Sequence, residues 1–480
     1  MSENNASKSI VGGFIWKFGE RLIAQGVSFL TSLVLARLLS PDDYGLIALV
    51  LVFINLANVF ITSGFATALI QKKDANATDF STIFYCSLAC SLLIYLVIFL
   101  IAPVVAAFYE KQQLTAILRV YGLQVPLSVY NSVQVAYVSR HMMFRKVFVS
   151  TLISAIVSAC IGIGMAGMGF GVWALVIQSI SLTVISTLVM MVIVRWRPTR
   201  QFSAGAAKTM MKYSSRVLLA DLSGTFFGEV RSLIVGRVYT SADLAFYTKG
   251  QQLPSLITGN LSTSIMAVLF PAMANESDNM EQVRYLAGRS LRILSYILFP
   301  ALFGLAAVMH PLVTLLYTEK WIECVPYAQM LCIGSAIGVL GIVPLQTLKA
   351  IGRSDVVLSL EIWKKPVYVL LLIAGVSINV FAVAVTMVIY EIYGLIVNMV
   401  QMKKYVGYSI GEQVLDILPA FLLSGGMAVV AIVVPATQNV ILTILIKALL
   451  GAGIYVVGSI VLKLEPYRYI LGMLKTRIRK

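Results

Sequence analysis

Apolar residues recur along the whole chain in windows of about 20, separated by short polar breakers, and no period-2 alternation runs through them. The pattern predicts about fourteen spans. They run Phe14–Leu38, Tyr44–Leu69, Thr82–Ala107, Leu114–Val138, Val147–Met165, Gly169–Val194 and Met211–Val238 in the first half. Ala242–Ala272, Gln282–Met309, Ile322–Ala350, Val356–Val376, Asn379–Met402, Gly411–Val434 and Asn439–Leu462 follow. Backbone groups in lipid are satisfied only by helices or a closed barrel, and continuous apolar runs lack the alternation of barrel strands. The expected fold is therefore all-α and polytopic.

Basic residues test that count. Connections after even-numbered spans hold Lys72 and Lys73; Arg140, Arg145 and Lys146; Arg195, Arg197, Arg200 and Lys208; Lys349 and Arg353; and Lys403 and Lys404. Connections after odd-numbered spans hold little beyond Lys111 and Lys320. Cytoplasmic loops are the basic ones, so both termini are expected in the cytoplasm and the chain in a bacterial inner membrane. The tail with Lys475, Arg477, Arg479 and Lys480 suits an anionic inner leaflet. Met1–Ile10 is polar and no small-residue cleavage site follows, so the first span is expected to be retained. Trp16, Trp173, Trp196 and Trp321 fall near span ends and are expected to be interfacial anchors.

Composition agrees with a life in lipid: 59% of the 480 residues are hydrophobic and only 12% are charged, against about 25% charged in soluble domains. The formal charge of +16 is largely accounted for by loop topology and does not imply a nucleic-acid partner. Cys86, Cys90, Cys160, Cys324 and Cys332 form no C-x-x-C pair, so neither disulfide nor metal is expected.

An internal repeat is visible. Leu35-Ala36-Arg37-Leu38-Leu39-Ser40-Pro41-Asp42-Asp43-Tyr44 matches Val235-Gly236-Arg237-Val238-Tyr239-Thr240-Ser241-Ala242-Asp243-Leu244, with Arg, Ser/Thr and Asp at equal spacing. Lys17-Phe18 and Arg21 echo Lys212-Tyr213 and Arg216. The repeat implies two parallel six-helix lobes, residues 1–200 and 201–405, with two further spans and a basic tail over 406–480.

These residues also resemble a family. The stretch Leu35 to Leu46, then Gly64-Phe65, Ala68 to Lys73, Gly169-Phe170-Gly171-Val172-Trp173-Ala174-Leu175-Val176, Val268 to Ala272 and Glu319-Lys320-Trp321 are similar to the polysaccharide transporter branch of the multidrug/oligosaccharidyl-lipid/polysaccharide exporter superfamily. Within it, they look most like flippases for colanic acid or teichuronic acid repeat units. The resemblance implies a V-shaped pair of lobes around a cavity, alternating access, and an undecaprenyl-diphosphate-linked oligosaccharide as cargo. It also implies a place in exopolysaccharide, O-antigen or teichuronic acid synthesis, beside polymerase machinery and membrane lipids.

Ionisable side chains within spans cost about 2.5–3.5 kcal/mol each at the bilayer centre and ordinarily face a wet cavity. Lys17, Arg21, Arg119, Arg216, Arg231 and Lys249 are the candidates for a basic lining, because a diphosphate-linked acidic glycan needs its hydration replaced, and Arg forks suit phosphate and carboxylate. Lys17, Arg119 and Arg216 are close enough to span ends to reach headgroups instead. Glu229 and Arg231 could form an interfacial network near Arg237. No Walker-type loop is present, so a coupling ion, H+ or Na+, is expected. Asp221 is the leading ion-coupling candidate, followed by Glu20, Glu361 and Glu391; Glu361 could equally neutralise Lys364 or Lys365. Asn55 and Asn58 suit helix-to-helix hydrogen bonding, and Pro254, Pro300, Pro344 and Pro366 are possible bends.

No cofactor and no catalytic residue is expected. A membrane enzyme such as a glycan polymerase would want a sizeable extramembrane loop or an acidic loop cluster, and neither is present. A drug extruder of the same superfamily would want an acidic, aromatic cavity. A lipid-II-type flippase shares the architecture and is set apart only by the motifs.

Overall fold

The computed structural model describes residues 3–62, 69, 76–469 and 472, with side chains from residue 19 onward except at 21–22, 209, 212–214, 216–217, 263–265 and 267–268. The motif residues Gly64, Phe65, Lys72 and Lys73 and the basic tail from Lys475 lie outside the described residues.

Each apolar window becomes a helix or a helix pair. The first unit holds α1 (Glu3–Leu38), α2 (Pro41–Val59), α3 (Ala77–Phe108), α4 (Gln113–Gly122), α5 (Gln124–Arg140), α6 (Phe144–Gly167), α7 (Val172–Ile193) and α8 (Ala204–Val238). Helix α9 (Ser241–Ala274) is followed by α10 (Met280–Ala307), α11 (Met309–Tyr317), α12 (Cys324–Leu340), α13 (Ile342–Ala350), α14 (Ser354–Val376), α15 (Val380–Val406), α16 (Ile410–Val433) and α17 (Val440–Val461). The short helix α11 occupies what the apolar pattern leaves as a connection between two spans.

Among the described residues, two of the windows are broken. The fourth splits at Leu123 and the tenth at Gly341. In each case a proline stands in the first turn of the second piece, Pro126 and Pro344, and its missing N–H removes the bond that would carry the helix through. Pro254, Pro300 and Pro366 stay within unbroken helices, where they lie among the bonds of long elements.

Contacts divide the chain into two compact units, residues 1–245 and 246–480. In the first, α6 packs along α1 and α7, α3 against α4 and α5, and α2 against α8. The packing of α8 on α2 groups it with the helices before it, although the repeat begins a new copy there. Phe80, Phe84, Tyr130, Tyr137 and Trp196 form an aromatic cluster in this unit. In the second unit α10 packs on α16 and α12, while α15 runs between α12 and α14. Burial corrects two of the tryptophan expectations: Trp196 is 8% exposed and Trp321 0%, both packed on aromatic neighbours instead of projecting to an interface. Among the described residues Trp363 is the exposed tryptophan, at 72%.

The sequence repeat is also a structural repeat. Ser40 Oγ and its backbone N–H donate to Asp43 Oδ2 at 2.7 and 3.1 Å, and the Asp43 N–H donates back to Ser40 Oγ at 3.3 Å. Thr240 and Asp243 reproduce the set at 2.7, 3.1 and 3.1 Å. Both are capping boxes that satisfy orphan N–H groups at a helix start, here of α2 and α9.

Candidate functional site

Polarity is concentrated in a few helices. Among the described residues, nine helices are long and apolar enough to cross a membrane. A second set comprises α1, the α4–α5 pair, α8, α9 and α14. Nearly every charged candidate from the sequence sits on these elements; Glu391, on the apolar α15, is the exception.

Lys17 and Arg21 lie on α1 and Arg216 on α8, but their side chains fall outside the described residues. Glu20, half-buried on α1, accepts a hydrogen bond from Thr151 Oγ1 of α6 at 3.5 Å. Arg119 lies over the Phe99 ring at 4.2 Å and donates from Nε to the Phe99 carbonyl at 3.3 Å, which ties α4 to α3. Arg231 is half-buried on α8, and Asp221 is exposed two to three turns earlier on the same helix. Glu229 accepts from Asn55 Nδ2 of α2 at 2.8 Å, so Asn55 does bond helix to helix. Arg237 pairs with Glu110 at 3.3 Å and covers Phe108.

Lys249 is only 5% exposed. Its ammonium lies 5.0 Å from the Tyr317 ring centre and 5.7 Å from that of Trp321, and it donates to Gln252 Oε1 at 3.1 Å. A cation held over aromatic faces and an amide oxygen is well compensated for its lost water.

A second polar network joins α14, α15 and the α12–α13 break. Lys364, 5% exposed, donates to Glu361 Oε1 at 2.6 Å and reaches Asn398 Oδ1 at 3.5 Å. Asn398 Nδ2 in turn donates to the Gly341 carbonyl at 3.3 Å. Glu391 packs on the same side of α15 as Lys364's neighbour Gly394, against Gly338 of α12. Two of the ion-coupling candidates thus belong to the second unit, and two, Glu20 and Asp221, to the first.

Several buried polar groups escaped the sequence reading. Lys447, 8% exposed within the apolar α17, donates to the Ile432 carbonyl at the end of α16, where a cation suits the helix dipole. Arg292 on α10 lies 3.0 Å from Asp416 and 3.0 Å from Glu465. Tyr408 donates to Asp416, and burial, with the Asp416 hydrogen bond second, pushes the phenol above its ordinary pKa. Outside the spans, hydrogen bonds from Arg353 at 2.9 and 3.0 Å hold the Asp355 carboxyl below its usual value. Lone ionisable letters inside apolar runs were the available signal for Lys447 and Arg292; their partners, distant in sequence, gave none. No cluster of His, Cys, Asp or Glu able to hold a metal occurs among the described residues.

This helical, multi-pass architecture is that of a membrane protein. The lipid II flippase MurJ in an inward closed conformation aligns with a TM-score of 0.75 over 96% of this chain and 100% of that one, at 15% identity. An inward-facing multidrug resistance transporter of the MATE family aligns at 0.59 over 81% and 98%, at 13% identity. At that identity the likeness concerns the fold.

Residues 34–326 match the family described as polysaccharide biosynthesis protein, and the chain belongs to that family. Every motif that carried the resemblance, from Leu35 to Trp321, falls inside the match. The succinoglycan biosynthesis transport protein ExoT of Rhizobium meliloti is 22% identical over 69% of this chain and 67% of its own length. The lipopolysaccharide biosynthesis protein WzxC of Escherichia coli is 22% identical over 86% and 85%. The teichuronic acid biosynthesis protein TuaB of Bacillus subtilis is 21% identical over 78% of each.

Proposed function

We propose that this chain is a flippase that carries an undecaprenyl-diphosphate-linked, acidic oligosaccharide repeat unit across the bacterial cytoplasmic membrane by alternating access. The observation that carries the reading is membership of the polysaccharide biosynthesis family together with relatives named for succinoglycan transport and for lipopolysaccharide and teichuronic acid synthesis. Lys17, Arg21, Arg119, Arg216, Arg231 and Lys249 contact or steer the cargo's phosphates and sugar acids in this reading. Arg119 and Lys249 do so after release from Phe99 and from the Tyr317–Trp321 pair.

Coupling to H+ or Na+ acts through Asp221, Glu20, Glu361 or Glu391, and both termini lie in the cytoplasm. The lobes are 1–200 and 201–405, with 406–480 as an appendage, and the protein performs transport without bond-making chemistry. The product is handed to polymerase machinery on the far side. The extruder and lipid II alternatives draw support from likeness of fold alone.

The test is a proteoliposome assay with a fluorescent undecaprenyl-diphosphate oligosaccharide, scored by accessibility of the label to an external quencher. The intact protein should equilibrate the label between leaflets, and Arg21→Gln and Arg216→Gln should each abolish this while inserting normally. Unimpaired flipping in both variants rejects the basic path; no flipping by the intact protein rejects the function.

A further inference from the structure

One cavity in the first unit is not used by the reading above. The turn from α6 to α7 passes through Gly169 and Gly171 at φ of +84° and +55°, backbone that side chains with a Cβ rarely adopt. That turn lays Phe170 and Trp173 beside Asp43 on the first turn of α2 and Gln113 at the start of α4. The four side chains border an open cavity of about 430 Å³, within the range of about 300–1,000 Å³ usual for small-molecule sites. A Cβ on Gly171 would stand 3.3 Å from Asp43 Oδ1, so the glycine keeps the carboxylate edge clear.

The free hydrogen-bonding capacity here is specific. Asp43 Oδ2 is consumed by the Ser40 hydroxyl and N–H, whereas Oδ1 has no hydrogen-bond partner among the described residues. The Gln113 amide and the Trp173 indole N–H likewise have none there. Phe170 is 52% exposed, with its ring open to a visitor. In the second unit, by contrast, the aromatic pair Tyr317 and Trp321 already holds the chain's own Lys249 ammonium.

We propose that the cavity bordered by Asp43, Gln113, Phe170 and Trp173 is a subsite for a neutral pyranose of the cargo's glycan. A pyranose presents C–H faces that pack on aromatic rings and hydroxyls that both donate and accept, matching an indole, a phenyl, an amide and one free carboxylate oxygen. The Asp43 charge sits at the start of α2, where the helix dipole and the Ser40 donors balance it, so it acts as an acceptor with little pull on cations. Among the described residues no Lys or Arg borders the cavity, so it offers the diphosphate end no partner. The proposal rests on the flippase reading for its cargo; by the charge asymmetry of the loops, this turn is on the side opposite the cytoplasm, where a sugar head arrives after crossing.

Saturation-transfer difference NMR on the full chain in nanodiscs, with the methyl glycosides of glucose, galactose and mannose as probes, tests it without transport. At least one glycoside should receive saturation on its ring protons. The signal should fall about fivefold, about 1 kcal/mol at 1.4 kcal/mol per tenfold, in Trp173→Ala and in Gln113→Leu, persist in Trp173→Phe, and resist competition by inorganic pyrophosphate. Signals equal in the intact protein and in both variants, or absent for all three glycosides, overturn the subsite, as does displacement by pyrophosphate. Thermal melts of the variants matching the intact protein exclude misfolding, and the conservative Trp173→Phe provides a second folded reference. If glycosides fail to bind while loss of the gene still halts polymer export, only the subsite is wrong. If they bind while export continues without the gene, the flippase reading fails and the sugar site stands.

Discussion

Gly45 and Ser241 touch through their backbones: a Cβ built on Gly45 would overlap the Ser241 carbonyl group and come within 2.8 Å of its Cα. Gly45 follows the first copy of the capping motif and Ser241 lies within the second, so the matching turns at the starts of α2 and α9 meet within the first unit. No side chain can yield here, because both partners are main chain.

Gly45→Ala should therefore destabilise the protein by about 1–3 kcal/mol or more, as overpacking does. Gly164→Ala, on a helix with nothing within 4 Å of the added methyl, should be neutral or stabilising by about 0.5–1 kcal/mol. Thermal unfolding in detergent, with ligand-free protein, compares the two. Equal midpoints would remove the close approach from the account.

The paired caps predict paired losses. Ser40→Ala and Thr240→Ala each leave a helix-start N–H without its acceptor and should cost about 0.5–2 kcal/mol. Ser40→Thr and Thr240→Ser keep the hydroxyl and should melt as the parent does. A loss at only one of the two positions would mean that the repeat is not energetically equivalent.

Lys364 is enclosed while its partner Glu361 still reaches the surface, with side chains 7% and 42% exposed. Glu361→Leu alone strands a buried ammonium and should cost about 3 kcal/mol, the low end for a broken buried pair. Glu361→Leu combined with Lys364→Met removes both charges and should regain most of that loss. Chemical denaturation of the parent, Glu361→Leu, Lys364→Met and the double variant closes the cycle, and purely additive losses would deny the coupling.

Tyr408 supplies a pH signature. Its phenol is raised above the ordinary 10.0, first by burial and then by the bond to Asp416. A folded-state pKa above the unfolded one contributes stability that is complete below about 10 and drains away as pH climbs toward the folded value. Unfolding midpoints from pH 8 to 11 should fall more steeply for the parent than for Tyr408→Phe; parallel curves would place the phenol outside the folding balance.

The helices themselves were easy to read, because a window of continuous apolar residues admits little else in lipid. The breaks at Leu123 and Gly341 are less legible: Pro344 marks a bend in the sequence and Pro126 carries no such mark, although both act through one missing N–H. The repeat put Ser/Thr and Asp at equal spacing in the two copies without naming a cap; the Ser40–Asp43 and Thr240–Asp243 boxes are what that spacing builds, since a cap is local. Partnerships such as Asn55 with Glu229, or Arg292 with Asp416 and Glu465, depend on which helices become neighbours. Sequence gives the type of such residues and leaves their pairing to tertiary structure. Trp321 shows the converse, since its position near a span end suggested the headgroups and its packing on Phe246 put it in the core.

Helix α8 carries seven charged residues, from Lys208 to Arg237. During synthesis the translocon therefore receives a segment that lipid does not readily accept. Its residence in the bilayer must await packing on the already inserted α2. The polarity of α8 thus makes its assembly a late, cooperative event, and mutations that weaken the α2–α8 contact should surface first as lost topology and proteolysis instead of slow transport.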